Sequence, residues 1–375
     1  MKKILVVFGT RPEAIKLAPV IWELRRHPEA FHCRLCVTAQ HRQMLDQVLT
    51  LFNIQPDIDL NIMTDNQSLP DLTAHVLKEI TPVMEQERPD LVLIQGDTTT
   101  TFATALAAYY QHIPVAHVEA GLRTGDKYNP FPEELNRRLC SVICEYHFCP
   151  TEGNRRQLLA EGVSQENIFV TGNTVVDCLE IMLEKLRSLP EEHFTSRFPD
   201  IHFDRQILLV TGHRRESFGH DFENICMAIR EIALRYPQVE IVYPAHLNPN
   251  VQSYVYSLLA DVENIHLLEP LDYATFIWMM KKSFLILTDS GGILEEAPTL
   301  KKPVIIMRKI TERPEAVESG FAILAGTTVF GIVEATEKLM HDVRMGKRLK
   351  KSKNPFGDGK AAQRIVQIFR DKLLC

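Results

Sequence analysis

The sequence predicts an α/β protein made of two doubly wound domains, each a parallel sheet with helices on both faces. Three observations carry this. Short β-rich runs alternate with amphipathic helical stretches, the alternation restarts after a long helical interruption, and polar residues recur directly after the strand-like runs. In the first half the strand-like runs are residues 4–8, 35–38, 91–94, 115–118 and 147–149. Ile15, Ala18, Ile21, Trp22 and Leu24 share one face of the first helix, and Pro12 suits its first turn. A helical stretch over 175–189 interrupts the pattern, which resumes with strands at 207–211, 239–243, 265–268, 284–287 and 303–307. The loop "NPFGDGK" closes the second half, and a last amphipathic helix carries Ile365, Ile368, Phe369 and Leu373. The domains are therefore expected at 1–172 and 173–360, divided near Gly172, with residues 361–375 forming a C-terminal helix.

Composition agrees with this size and class. A length of 375 residues suggests about two domains. Hydrophobic content of 45% and charged content of 24% are those of a soluble globular protein. The net charge of −6 leaves no basic footprint, which argues against a nucleic-acid partner. No apolar run approaches the ~20 residues of a membrane helix. "MKKILVVFGTR" has too short an apolar stretch for a signal peptide and reads as the first strand. Eight cysteines do not make a disulfide framework. Cys33 and Cys36 form a lone CxxC within a strand-like run, whereas Cys140 and Cys144 lie four apart on an apolar helix face. All are read as reduced and structural, in a cytoplasmic protein.

In doubly wound sheets, ligands bind beyond the carboxyl ends of the strands. "FGTR" places Arg11 there, "LIQGD" Asp97, "VAHVE" Glu119, "LLVTGH" His213 and "IVYPAH" His246. "TDSGGILEEAP" adds Asp289 and Ser290, then Gly291 and Gly292 at a helix start, where free N–H groups and the helix dipole suit a phosphate. One such residue would be an ordinary cap, but the recurrence in both halves predicts a shared interdomain cleft. Neither GxxxxGK[ST] nor GxGxxG is present, which counts against a P-loop and a nicotinamide cofactor. The cations Arg11, Lys16, His213, Arg214, Arg215 and Arg313 suit a diphosphate, held by Arg11 and His213 with the Ser290–Gly292 turn. Glu296 is placed to accept ribose hydroxyls. The carboxylates Asp97, Glu119 and Glu133, with Arg137 one turn beyond Glu133, suit proton transfer beside a positively charged sugar-like transition state. The residues leave open both chemistry on a nucleotide-linked sugar and non-catalytic nucleotide-sugar sensing. The three carboxylates together favour catalysis.

The blocks "FGTRPEAIKLAP", "TAQHRQML", "GDTTTT", "HVEAGLRTGD", "PFPEELNR", "TGHRRESFG", "YPAHLNPN", "TDSGGILEEAP" and "TERPEAV" resemble, in order and over nearly the whole chain, the non-hydrolysing UDP-N-acetylglucosamine 2-epimerases. The resemblance implies a fold like that of GT-B glycosyltransferases, with the last helix crossing back onto the first domain, and a homodimer. It implies interconversion of UDP-N-acetylglucosamine and UDP-N-acetylmannosamine through elimination of UDP to a 2-acetamidoglucal and re-addition, with glycosyl transfer to an acceptor and hydrolytic release of the sugar as the competing readings. By the same carry-over, UDP is held by Arg11, Lys16, His213, Ser290, Gly291, Gly292, Glu296 and Arg313, with Phe276 near the uracil. Asp97, Glu119 and Glu133 handle protons and the oxocarbenium-like charge, with Arg137 beside them. No cofactor and no metal is required. An activating second UDP-N-acetylglucosamine maps to Gln40, Gln43, Glu133, Arg214 and His246. The chain departs from the family pattern at Asn66, which replaces a basic residue of that second site, and at Leu294, where Gln is usual. Leu271 replaces a polar residue, so a contact there falls to its backbone.

Departure of UDP concentrates negative charge on the diphosphate, where a preorganised donor is worth about 3 kcal/mol. His213→Ala should therefore lower turnover by about 10²-fold, far more than it raises KM. Steady-state kinetics with near-normal turnover would contradict this role.

Overall fold

A computed structural model describes the chain except at residues 40–41, 63, 65–66, 213–218, 247, 343 and 375, and except for the side chains of residues 42–44 and 250. It comprises two compact units, Met1–Cys178 with Phe356–Cys375, and Leu179–Pro355. The division falls within the helix Thr174–Arg187, a little beyond Gly172.

In the first unit, β1 (Lys2–Phe8), β2 (Phe31–Val37), β3 (Ile58–Asp59), β4 (Leu91–Gln95), β5 (Val115–Val118), β6 (Tyr146–Cys149) and β7 (Ile168–Val170) form one sheet. Its order is β3-β2-β1-β4-β5-β6-β7, and every pair is parallel. In the second unit, β8 (Gln206–Thr211), β9 (Val239–Pro244), β10 (Ile265–Leu268), β11 (Leu285–Thr288), β12 (Val304–Ile306) and β13 (Ala322–Leu324) take the order β10-β9-β8-β11-β12-β13, again all parallel. Each unit thus begins on a central strand, builds outward to one side and returns to the other. This is the Rossmann-like arrangement, with a topological switch point at β1/β4 and another at β8/β11. The strands predicted from sequence are all present. Three more, β3, β7 and β13, extend the sheets.

Helices cover both faces of each sheet, so central strands read as unbroken apolar runs. Ile4 through Phe8 are essentially inaccessible. The second unit's core joins Leu208, Val210, Ile241, Tyr243, Leu285 and Leu287 to Phe222, Ile225 and Ile229 of the helix His220–Arg235. The C-terminal helix Ala361–Leu373 buries Ala362, Ile365, Val366 and Phe369 and packs on the first helix, Arg11–Arg25. Phe369 meets Phe148 of β6 edge-on at 5.4 Å. Cys33, Cys36, Cys140, Cys144, Cys149, Cys178 and Cys226 are free thiols. Among the described residues, no helix is long and apolar enough to cross a membrane.

Two buried features make stability pH-dependent. His117 and His147 are register partners on β5 and β6. Burial pushes His117 down to about 4, and burial followed by the neighbouring His117 pushes His147 down to about 3. Both stay neutral in the fold while the unfolded chain protonates below about 6.5, so each withdraws stability as pH falls from there toward its folded value. Asp177 acts in the opposite sense. Its carboxylate accepts the N–H groups of Ala361 at 3.1 Å and Ala362 at 2.9 Å, yet burial pushes it up to about 6. Its contribution is full below about 3.9 and is lost as pH rises through its folded value. Two histidines outweigh one aspartate, so denaturant midpoints should drop between pH 7 and pH 4.5. Glu13, which burial also raises, acts in the same sense as Asp177, so Asp177→Asn removes one opposing group and should steepen that drop. A variant curve parallel to the parent's would contradict the assignment.

Candidate active site

In the first unit the candidate residues lie at the ends of β1, β4 and β5, on both sides of the switch point. Thr10 caps the helix Arg11–Arg25, with Arg11 as its first residue and Pro12 in its first turn. Glu13 closes a capping box and is itself buried. Its Oε2 accepts from Gly9 N (3.1 Å), Thr10 N (2.8 Å) and Thr10 Oγ1 (2.7 Å). Its Oε1 accepts from Thr98 Oγ1 (2.9 Å) and Thr101 Oγ1 (3.1 Å). One carboxylate therefore binds the loop that presents Arg11 to the loop that follows Asp97. Burial raises the Glu13 pKa against these donors, which pull it down.

Asp97 accepts from Arg137, whose Nε lies at 2.9 Å and whose Nη2 lies at 2.7 Å from the same oxygen. Asn136 Nδ2 donates to the Asp97 carbonyl at 2.9 Å, and His117 Nε2 lies 2.7 Å from the Gly96 carbonyl. Arg137 also donates to Glu134 at 3.2 Å. Glu134 is wholly buried and takes Arg138 and the N–H groups of Thr124 and Gly125 as well. It is thus the neighbour of Glu133 that organises this turn. Glu133 itself is half-buried and opens the helix Glu133–Ile143. The Asn129–Pro130 and Phe131–Pro132 peptide bonds ahead of it are cis.

Glu119 follows β5 with φ at +68°, a strained conformation for a residue with a Cβ. Its Oε2 pairs with Lys16 Nζ and accepts from Asn173 Nδ2 at 2.7 Å, all three residues being buried. Gln95 of β4 and Val118 of β5 are register partners, so Asp97 and Glu119 extend neighbouring strands. Each carries its own cation, Arg137 for Asp97 and Lys16 for Glu119.

In the second unit Ser290 occupies the position before the short helix Gly291–Glu296 that follows β11, and its N–H donates to Thr288 Oγ1 at 2.9 Å. A Cβ on Gly291 would lie 2.2 Å from Arg313 Nη1, so glycine here makes room for the guanidinium. A Cβ on Gly292 would meet nothing nearer than Ser290 Oγ at 4.0 Å. Arg313 is buried, its Nε donating to Glu295 at 2.8 Å and its Nη1 to Glu312 at 2.7 Å. Arg308 also pairs with Glu312, at 2.8 Å. Glu296 is buried and accepts from Tyr273 Oη at 2.7 Å. Buried Asp289 donates its N–H to the Thr211 carbonyl. Leu271 and Phe276 are half-buried, and Leu294 is buried. His246 is exposed, its Nδ1 accepting from Asn248 N at 3.1 Å. His213, Arg214, Arg215, Gln40 and Asn66 lie outside the described residues, as does the side chain of Gln43. Among the described residues no group of three or more His, Cys, Asp and Glu side chains is placed to hold a metal ion.

Within the first unit the structure therefore joins Lys16 to Glu119 and Arg137 to Asp97. Sequence reasoning passed over Glu13, Glu134, Asn173, Tyr273, Glu295 and Glu312. Of these, Glu13 has a local signal, since Thr10-x-x-Glu13 is a capping-box pattern.

Comparison with known proteins gives a uniform result. The family model described as UDP-N-acetylglucosamine 2-epimerase matches residues 23–370. UDP-N-acetylglucosamine 2-epimerases of Salmonella typhimurium and of Escherichia coli K12 are 52% and 51% identical over 370 and 375 residues, covering 98% of this chain and of each relative. The crystal structure of UDP-GlcNAc 2-epimerase from Neisseria meningitidis bound to UDP-GlcNAc superposes with a TM-score of 0.96 at 48% identity, over 99% of this chain and 100% of that one. The Methanocaldococcus jannaschii enzyme in complex with UDP-GlcNAc and UDP gives 0.87 at 36% identity, over 98% and 99%. Matches of this extent and identity, added to the strand-end chemistry, make the chain a member of the non-hydrolysing UDP-N-acetylglucosamine 2-epimerase family.

Proposed function

We propose that the chain interconverts UDP-N-acetylglucosamine and UDP-N-acetylmannosamine by eliminating UDP to 2-acetamidoglucal and adding it back with inversion at sugar carbon 2. The observation that carries this reading is the pair of cation-bound carboxylates on adjacent strand ends, Asp97 with Arg137 and Glu119 with Lys16. The hydrogen on carbon 2 has no adjacent carbonyl to acidify it, so loss of the nucleotide must accompany or precede its removal. Inversion then needs proton donors and acceptors on two faces of the ring, because a single base would return the proton to the side it left. Asp97, Glu119 and Glu133 are the groups proposed for this work, and Arg137 orients Asp97. Arg11, Lys16, His213, the Ser290–Gly292 turn and Arg313 are proposed to hold the diphosphate, Glu296 the ribose and Phe276 the base end, with a contact at Leu271 falling to its backbone. The pairing of Lys16 with Glu119 supports a link between the nucleotide grip and the proton-handling groups. Gln40, Gln43, Glu133, Arg214 and His246 are proposed for an activating second nucleotide sugar.

The cytoplasm is the compartment we propose, since free thiols suit a reducing environment. A homodimer is the assembly carried over from the family, and light scattering reads it directly. The functional test uses the purified chain and UDP-N-acetylglucosamine alone, followed by NMR. Both nucleotide sugars should accumulate to a constant ratio with no free N-acetylmannosamine. Release of the free sugar would favour the hydrolysing reaction, and no conversion without an acceptor would favour glycosyl transfer.

A further inference from the structure

We infer that Asn173 is a positioning residue for Glu119, tying that carboxylate to the point where the chain leaves and re-enters the first unit. The inference rests on the epimerase reading above, in which Glu119 handles a proton. Asn173 is 1% exposed, and three of its polar groups are committed. Its Nδ2 donates to Glu119 Oε2 at 2.7 Å. Its Oδ1 accepts from Val175 N at 3.1 Å, capping the helix Thr174–Arg187 that carries the chain out of the unit. Its backbone N–H donates to the Phe356 carbonyl at 2.7 Å, and Phe356 is the first residue of the returning segment.

The two segments are pressed together at this point. A Cβ on Gly172, at φ +86°, would meet Gly357 Cα at 3.2 Å and the Phe356 oxygen at 3.3 Å. Gly357 in turn has φ +142°. Backbone that close leaves Asn173 little freedom, so its amide is a fixed donor. Lys16 and Asn173 act on the same oxygen of Glu119 in different ways. A lysine ammonium is a point charge on a flexible stem and sets little direction, whereas a short amide anchored at its other end does. Lys16 thus supplies charge and Asn173 supplies orientation. Glu119 needs orienting because its own backbone sits at φ +68°. Titratable groups beside Glu119 include Lys16, on the first helix, and His117, which burial keeps neutral.

Two variants separate positioning from mere capping. Asn173→Asp keeps the cap acceptor and the backbone bond to Phe356, and exchanges only the donor facing Glu119 for a second carboxylate. Turnover at pH 7 should fall by about 10²-fold, as for a misplaced catalytic group. The acid limb of the kcat/KM profile should move up by about one pH unit or more, because a like charge disfavours ionisation of its neighbour. UDP affinity, measured by calorimetry, should stay within about twofold. Asn173→Ser keeps a good cap but cannot reach Glu119. It should lose turnover, with the acid limb moved up by less than in Asn173→Asp because only a donor to the carboxylate is lost, and it carries the test if Asn173→Asp does not fold. A capping role alone predicts near-parent turnover and an unshifted profile in Asn173→Ser, which adds no charge beside Glu119, and that outcome overturns the inference. The parent protein is assayed alongside. Absence of epimerisation there would refute the functional reading itself, whereas an active parent with indifferent variants would refute only the role of Asn173.

Discussion

Glu119→Gln should lower turnover by roughly 10²–10⁴-fold, the range for loss of a positioned acid–base group, with UDP affinity changed only a few-fold. The amide matches the carboxylate in shape and can still accept from Asn173, so orientation survives while proton transfer does not. The substitution also removes the counter-charge of Lys16, which is 8% exposed. Breaking a buried ion pair from one side costs about 3–5 kcal/mol, so the variant should melt earlier as well. Running the kinetics well below the variant's transition separates the two effects. Restored turnover there would mean that Glu119 stabilises the fold and does not touch the chemistry.

Glu13→Leu should be among the most destabilising single changes in the first unit. It strands the buried N–H groups of Gly9 and Thr10, each at about 1–3 kcal/mol, and removes a capping box worth about 1 kcal/mol. A total on the order of 4 kcal/mol lies at the extreme of point-mutant effects. Glu13→Gln should cost much less. The amide oxygen can take the place of Oε2 against the two N–H groups, which cannot reverse their role. The amide nitrogen then faces Thr98 and Thr101, whose hydroxyls can accept instead. Burial already raises the Glu13 pKa, so removing the charge offsets part of the loss. Urea denaturation of both variants tests this, and equal destabilisation by Gln and Leu would show that charge, rather than the donor pattern, is what the site requires.

The parts of the fold legible in sequence are those where burial is two-sided. Central strands such as β1 and β4 carry unbroken apolar runs, residues 4–8 and 91–94, bounded by polar residues, so their existence follows from composition. The three strands without a clear sequence signal, β3, β7 and β13, are all sheet edges of two or three residues. In β7 the exposure rises from buried Ile168 to exposed Val170, which leaves too little apolar continuity to read. The strand-end polar residues were legible because each closes its own apolar run. Their partners were not, since Lys16 reaches Glu119 across 103 positions and Asn173 reaches it across 54. No periodicity reports such pairings. Glu134 shows a nearer failure. Its spacing of three and four to Arg137 and Arg138 is a helical ion-pair signal, but Glu133, one residue earlier, carries the stronger motif signal behind its two prolines.

The central claim is that carbon 2 of the sugar exchanges its hydrogen with the protein's carboxylates while UDP is detached. Incubating the chain with UDP-N-acetylglucosamine in deuterated water, with no acceptor present, tests it by NMR and mass spectrometry. Each molecule of UDP-N-acetylmannosamine formed should carry one deuterium, located at carbon 2. Product that retains protium there would contradict the mechanism.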